Sequence, residues 1–168
     1  QMCIRDRPYG KNAPAGYSLY QRGTPKVLVW EEKAPVSVGR QIHNGAEVLD
    51  GKIYVVGGSD GTKRDLVERY DPNTNTWQTL SPISSAREAL AVSFLQGKLY
   101  AMGGFDDNGE IATVEIYDPA NDSWNQGPSL PHVVRAGSSI TYGNLIYLIG
   151  GNDADSKIAT NYMLEVNA

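Results

Sequence analysis

The chain has 168 residues, 40% hydrophobic and 20% charged, a content that can bury a core and excludes disorder by composition. Its net charge of −4 excludes a general nucleic-acid surface, which needs a basic patch to release phosphate counterions. No apolar run approaches the roughly 20 residues of a membrane-spanning helix.

Residues 1–7, "QMCIRDR", fit nothing that follows and read as a non-native leader of the kind left at assembly ends. They hold the single cysteine, Cys3, which can make neither an internal disulfide nor a thiolate metal site. Residues 8–31 contain "YSLYQRGTPKVLVW", which reads as the closing strands of a unit ending at Trp30. Residues 32–80 then form a full unit, 81–127 a second, and 128–168 a partial third.

Each unit divides into short strands. In the first they are "GAEVLD" (45–50), "KIYVVGG" (52–58), "LVERYD" (66–71) and "TWQTL" (76–80). Asp50-Gly51 is a tight hairpin turn, and "DPNTN" joins the last two strands, with Asp71 capping its own backbone. The second unit repeats this as "EALAVSFLQG", "KLYAMGG", "TVEIYD" and "SWNQG". The third reads "LIYLIGG" and then departs; matching it to the earlier units puts Val166 in the Tyr place and Asn167 in the Asp place.

The period is 47. Trp30, Trp77 and Trp124 are 47 apart, as are Tyr70 and Tyr117, and Glu68 and Glu115. The pairs Gly57-Gly58, Gly103-Gly104 and Gly150-Gly151 recur at 46 and 47, and Arg40, Arg87 and Arg135 at 47 and 48. Short, evenly spaced strands without a sustained 3.6-residue period predict all-β radial repetition, one four-stranded blade per unit.

The order Arg, hairpin, Gly-Gly, Tyr-Asp-Pro, Trp resembles the kelch repeat over about residues 30–166. The resemblance implies an all-β, kelch-type β-propeller fragment of about 3.5 four-stranded blades. Propellers close with about 4–8 blades, so the remaining blades are expected from a longer chain or a second copy. The doubled glycines are expected where blades crowd together, with Tyr70, Trp77, Tyr117 and Trp124 packing blade on blade.

Two sets of binding residues are expected. Arg40, Arg87 and Arg135 are placed at a channel mouth, where guanidiniums could clamp carboxylates, as arginines at this place in kelch relatives help bind an acidic peptide. The competing role is structural, bonding inter-blade carbonyls. The second set lies in the loops after Gly-Gly: Ser59, Asp60, Lys63 and Arg64; Phe105, Asp106 and Asn108; Asn152 and Asp153. Such loops ride a rigid scaffold, with Phe105 the natural apolar anchor, and ordinary solvated turns are the competing role.

No metal site is expected. The aspartates match no calcium-loop spacing, and His43 and His132 lack a third ligand. No cofactor motif, nucleophile elbow or Cys/His pairing is present. The function expected is a non-enzymatic scaffold for a protein or peptide, an acidic one among the candidates. The alternatives are a sugar-processing enzyme of the sialic-acid mutarotase or carbohydrate oxidase kind, for which carbohydrate is the ligand, and a ubiquitin-ligase adaptor if a BTB domain precedes these repeats. The compartment leans to a bacterial envelope or secreted location for the first two and to the cytoplasm for the adaptor.

Overall fold

The computed structural model describes residues 29–42 and 45–166. The leader at 1–7, residues 8–28 of the expected preceding blade, His43 and Asn167 lie outside them. Residues 29–32 belong to an N-terminal unit of their own and form no strand. Val29 is 78% and Trp30 104% exposed.

From residue 33 onward the described chain is strands and turns, without a helix. Strands β1 (Ala46–Leu49), β2 (Lys52–Val56), β3 (Val67–Asp71) and β4 (Thr76–Leu80) make one antiparallel sheet in sequence order. Strands β5 (Ala91–Leu95), β6 (Lys98–Met102), β9 (Val114–Asp118) and β10 (Ser123–Gln126) repeat it, with a small hairpin, β7 (Phe105–Asp106) and β8 (Gly109–Glu110), in the loop between β6 and β9. A third sheet has three strands: β11 (Ser138–Tyr142), β12 (Leu145–Ile149) and β13 (Asn161–Glu165). This is the meander of a propeller blade made twice in full and once with three strands.

Hairpin chemistry explains the tight β1–β2 turn. Asp50 and Gly51 have φ of 50° and 70°, and Gln96 and Gly97 repeat this at 49° and 76°, the left-handed pair that matches strand twist. At the β3–β4 turn Asp71 Oδ1 accepts from the Asn73 amide at 2.9 Å, as expected for a self-capping Asp.

Two apolar layers hold the sheets together. Leu49, Tyr54, Val56 and Leu80 of the first pack on Leu90, Val92, Leu99 and Tyr117 of the second. Leu95, Tyr100, Met102 and Val114 of the second pack on Val134, Ile146 and Leu148 of the third. Tyr and Trp lock the outer edges. Rings of Tyr70 and Trp77 lie 5.0 Å apart, as do those of Tyr117 and Trp124. Trp77 Nε1 donates to the Ala34 carbonyl at 2.8 Å, and Trp124 Nε1 to Ser81 at 2.9 Å, each 43 residues back. Both indoles are half-buried rather than enclosed, because β4 and β10 are outer strands.

The third sheet corrects one expectation. Leu99 pairs with Tyr117, and Ile146 pairs with Leu164. The 47-residue period therefore runs on unbroken: Leu164, not Val166, takes the Tyr place, and Glu165, not Asn167, the Asp place.

Candidate binding face

The doubled glycines shape one face. Gly57 and Gly58 have φ of 65° and 104°, and Gly103 and Gly104 have 59° and 111°. A Cβ on Gly57 would lie 2.6 Å from the Arg87 carbonyl, and one on Gly58 would lie 2.5 Å from that of Gln41. Gly103 faces the Val134 carbonyl in the same way, and Gly104 that of Glu88 at 2.8 Å. Each pair is thus gripped between the entry segment of its own sheet and that of the next, which only glycine permits. The Gly58 amide donates to Arg87 O, and the Gly104 amide to Val134 O.

The residue after each glycine pair bridges back to the entry segment: Ser59 to Gln41, Phe105 to Glu88, and Asn152 to Arg135. The loops and entry segments therefore share one face. These pairings also set the register of the arginines. Arg40, Arg87 and Val134 are equivalent, while Arg135 stands one place on, where the first two units have Gln41 and Glu88.

This corrects the reading of three equivalent arginines at an open mouth. The Arg40 side chain is 0% exposed and sits 2.6 Å from Glu68 Oε2, and its Nε donates to the Gly57 carbonyl at 2.8 Å. Arg87 is likewise 0% exposed, its Nη2 donating to Glu115 Oε1 at 2.7 Å and its Nη1 to Thr113 Oγ1 at 2.9 Å. The same carboxylates accept from the Ser37 and Ser84 amides, at 3.0 and 2.9 Å. Burial pulls Arg87 below the ordinary guanidinium value, with Glu115 opposing; a guanidinium stays charged in proteins, so the pair is ionic. Burial also pushes Glu68 up, but hydrogen bonds from Ser37 and Arg40 outweigh it and hold the carboxyl below its usual range. Both side chains are withdrawn from the surface, with Arg40 Nη2 and Arg87 Nε left without a hydrogen-bond partner among the described residues.

Arg135 is the accessible one, with a side chain 41% exposed. Its Nε lies 3.0 Å from Glu110 Oε1, although the N–H does not point at that oxygen. Its guanidinium carbon is 5.0 Å from the Phe105 ring centroid, and Lys63 Nζ is 4.5 Å from the same centroid. Lys63 also reaches Asp107 Oδ1 at 3.0 Å. Phe105 is half-buried, so it is not the fully exposed anchor expected from the sequence. The ring, in the loop of the second sheet, thus gathers one cation from the loop of the first sheet and one from the entry segment of the third, at a favourable distance for cation–π attraction.

The other loop residues serve the loops themselves. Arg64 Nη2 donates to Asp60 Oδ2 at 2.6 Å, which with the Thr62 amide lowers the Asp60 pKa. The Ser59 hydroxyl accepts from the Gly61 amide, and Asp106 from that of Asn108, which is exposed. Asp153 accepts from the Ser156 and Asp155 amides, which lower its pKa. Asn152 lines a shallow depression of about 330 Å³ with Arg135, Asp153 and Lys157. Among the described residues no group of three or more His, Cys, Asp or Glu could hold a metal, and His132 is exposed.

The Glu68 and Glu115 partners were visible in the sequence only as members of the repeat. Their 28-residue distance from Arg40 and Arg87, kept in both units, was the available signal.

Family comparison agrees with this geometry. The kelch motif model matches residues 43–84 and 86–131, more than half of the chain. The chain belongs to the kelch-motif family. Among solved structures it is similar to the one titled "Structure of YjhT", with a TM-score of 0.72 over 82% of this chain, at 18% identity. At that identity the likeness shows the kelch propeller fold alone. The match covers 53% of YjhT, so this chain spans about half of that structure's length. No curated protein matches the chain.

Proposed function

We propose that this kelch-motif chain is a non-enzymatic binding scaffold whose loop face, centred on Phe105 and Arg135, engages a protein or peptide. The observation that carries the reading is the half-buried Phe105 ring held by Lys63 and Arg135. It is a rigid aromatic with an accessible guanidinium beside it, the pairing that dominates protein interfaces. Kelch repeats serve widely as interaction modules, which agrees with it.

The acidic partner expected from an open arginine set loses its basis, because Arg40 and Arg87 are already paired. Of the cations left on the face, Lys63, Arg64 and Arg135 each have a carboxylate neighbour, and Lys157 is exposed. The face therefore suits an apolar or aromatic side chain with a hydrogen-bonding group beside it, rather than a run of acidic residues.

Panning a random displayed-peptide library against the chain tests this. Enriched peptides should bind Phe105→Ala and Arg135→Ala at least about tenfold more weakly, a loss of about 1.4 kcal/mol or more. Peptides that bind both variants as well as the parent place the binding surface elsewhere.

A further inference from the structure

One position of the repeat changes chemistry where its counterpart is apolar. The third strand of each sheet pairs one residue with a tyrosine of the second: Arg69 with Tyr54, Ile116 with Tyr100 and Met163 with Tyr147. Ile116 packs into the apolar layer between the second and third sheets. Arg69 holds the equivalent place in the first sheet, so a guanidinium stands there instead of a hydrocarbon. That charge costs desolvation which the fold does not require, since an isoleucine serves the next sheet.

Arg69 is half-buried and held in place. Its Nη2 donates to Gln78 Oε1 at 2.5 Å, and its guanidinium carbon lies 6.0 Å from the Tyr54 ring centroid. It opens into a depression of about 390 Å³ at the β1–β2 turn end of the strands, opposite the loops that follow the glycine pairs. Asp50, Lys52 and Tyr54 of the first sheet line it with Arg69, and Asp118 and Pro119 line it from the second. Both of these sheets have all four strands.

Two of the four charges in the depression are already matched. Lys52 Nζ lies 2.5 Å from Asp71 Oδ2, and Lys98 Nζ lies 3.0 Å from Asp118 Oδ2. These contacts are the chief cause that holds the Asp71 and Asp118 carboxyls below their ordinary range. Asp122 of the second sheet feels the Arg69 charge, but it is held by the Tyr117 hydroxyl and the Ser81 amide. Among the described residues neither Arg69 nor the exposed Asp50 has an ion-pair partner. The depression therefore offers one unmatched cation and one unmatched anion, with the Tyr54 ring and Pro119 as its apolar part.

We propose that this depression binds a free amino acid, with its carboxylate on the Arg69 guanidinium and its ammonium on Asp50. A guanidinium fork takes a carboxylate through parallel N–H donors. A small zwitterion matches both charges at once, whereas a simple anion or cation serves only one. The volume suits a small ligand. The place is at the other end of the strands from Phe105 and Arg135, so it does not depend on peptide binding there.

Isothermal titration calorimetry of the 168-residue chain with the common amino acids, one at a time, tests this. For the amino acid that binds best, the N-acetyl derivative and the amide each lack one of the two charges. Each should bind at least about tenfold more weakly. Arg69→Ile copies the second sheet, and Asp50→Asn keeps a residue that tolerates the φ of 50° at the turn. Both variants should keep the strand signal in circular dichroism and lose at least about tenfold in affinity. The absence of heat with every amino acid at up to about 10 mM overturns the proposal. A derivative that binds as tightly as the parent amino acid overturns it, as does a variant that binds as tightly as the parent chain.

Discussion

Arg87 and Glu115 form a buried ion pair that ties the entry segment of the second sheet to its third strand, with 2.7 Å between Nη2 and Oε1. Arg40 and Glu68 repeat it in the first sheet at the same 28-residue separation. In the third sheet the equivalent residues are Val134 and Tyr162, so both partners change together, and both join the apolar layer between the second and third sheets.

Breaking this pair on one side should therefore be costly. Arg87→Ala leaves Glu115 buried without its cation, and urea unfolding should show a loss of roughly 3–5 kcal/mol. The double change Arg87→Val, Glu115→Tyr copies the third sheet and should recover most of that loss. A cost under about 1 kcal/mol for Arg87→Ala would show that the pair contributes little, and would return Arg87 to the pool of ligand-binding candidates.

Acid should unfold the chain partly through Glu68. Its folded pKa lies below the ordinary 4.5. The unfolded chain therefore takes up the proton first as pH falls. The stabilisation is complete above about pH 4.5 and is lost as pH falls through the folded value. Asp122, lowered chiefly by the hydrogen bond from the Tyr117 hydroxyl, adds to the same slope. Unfolding free energy measured against pH should be nearly level from about pH 7 to pH 5.5 and fall below that. Glu68→Gln should be less stable at neutral pH and should flatten the acid limb. An unchanged acid limb in Glu68→Gln would assign the loss to other carboxylates.

The glycines differ in a way that a single substitution can read. Gly57 and Gly150 share a φ near 65°, so an Ala at either meets the left-handed penalty of roughly 1–2 kcal/mol. At Gly57 the new Cβ also lies 2.6 Å from a backbone carbonyl, whereas at Gly150 the nearest atom is 3.7 Å away. Gly57→Ala should cost at least about 1 kcal/mol more than Gly150→Ala. Equal losses would mean that the next sheet's entry segment moves aside easily.

The fold was legible because its signals are local and periodic. Asp50-Gly51, the doubled glycines and the Tyr/Trp pair each fix a turn, a crowded approach or an edge, and each recurs at 46 or 47. The site was less legible because it depends on which way side chains point. A spacing of 48 instead of 47 moved Arg135 from the buried arginine place to the accessible one. Only the strand pairing reveals what one residue of offset does. Phe105 could be picked out as an apolar residue in a polar loop, but Lys63 and Arg135 lie 42 and 30 residues from it in sequence. Nothing in a linear pattern brings those three together.

The indoles offer a graded test of the edge lock. Trp124 packs 5.0 Å from the Tyr117 ring and donates to the Ser81 carbonyl, but it is half-buried on an outer strand. Trp124→Phe keeps a ring and removes only the indole hydrogen bond, so it should cost about 1 kcal/mol. Trp124→Ala removes ring and bond together. Its loss should fall near the lower end of the roughly 3–5 kcal/mol seen when Trp or Phe is truncated, because part of the ring already meets water. Chemical unfolding of both variants separates the terms. If Phe and Ala cost the same, the Ser81 hydrogen bond holds the edge and the stacking contributes little. If Phe costs nothing, the lock is the ring alone.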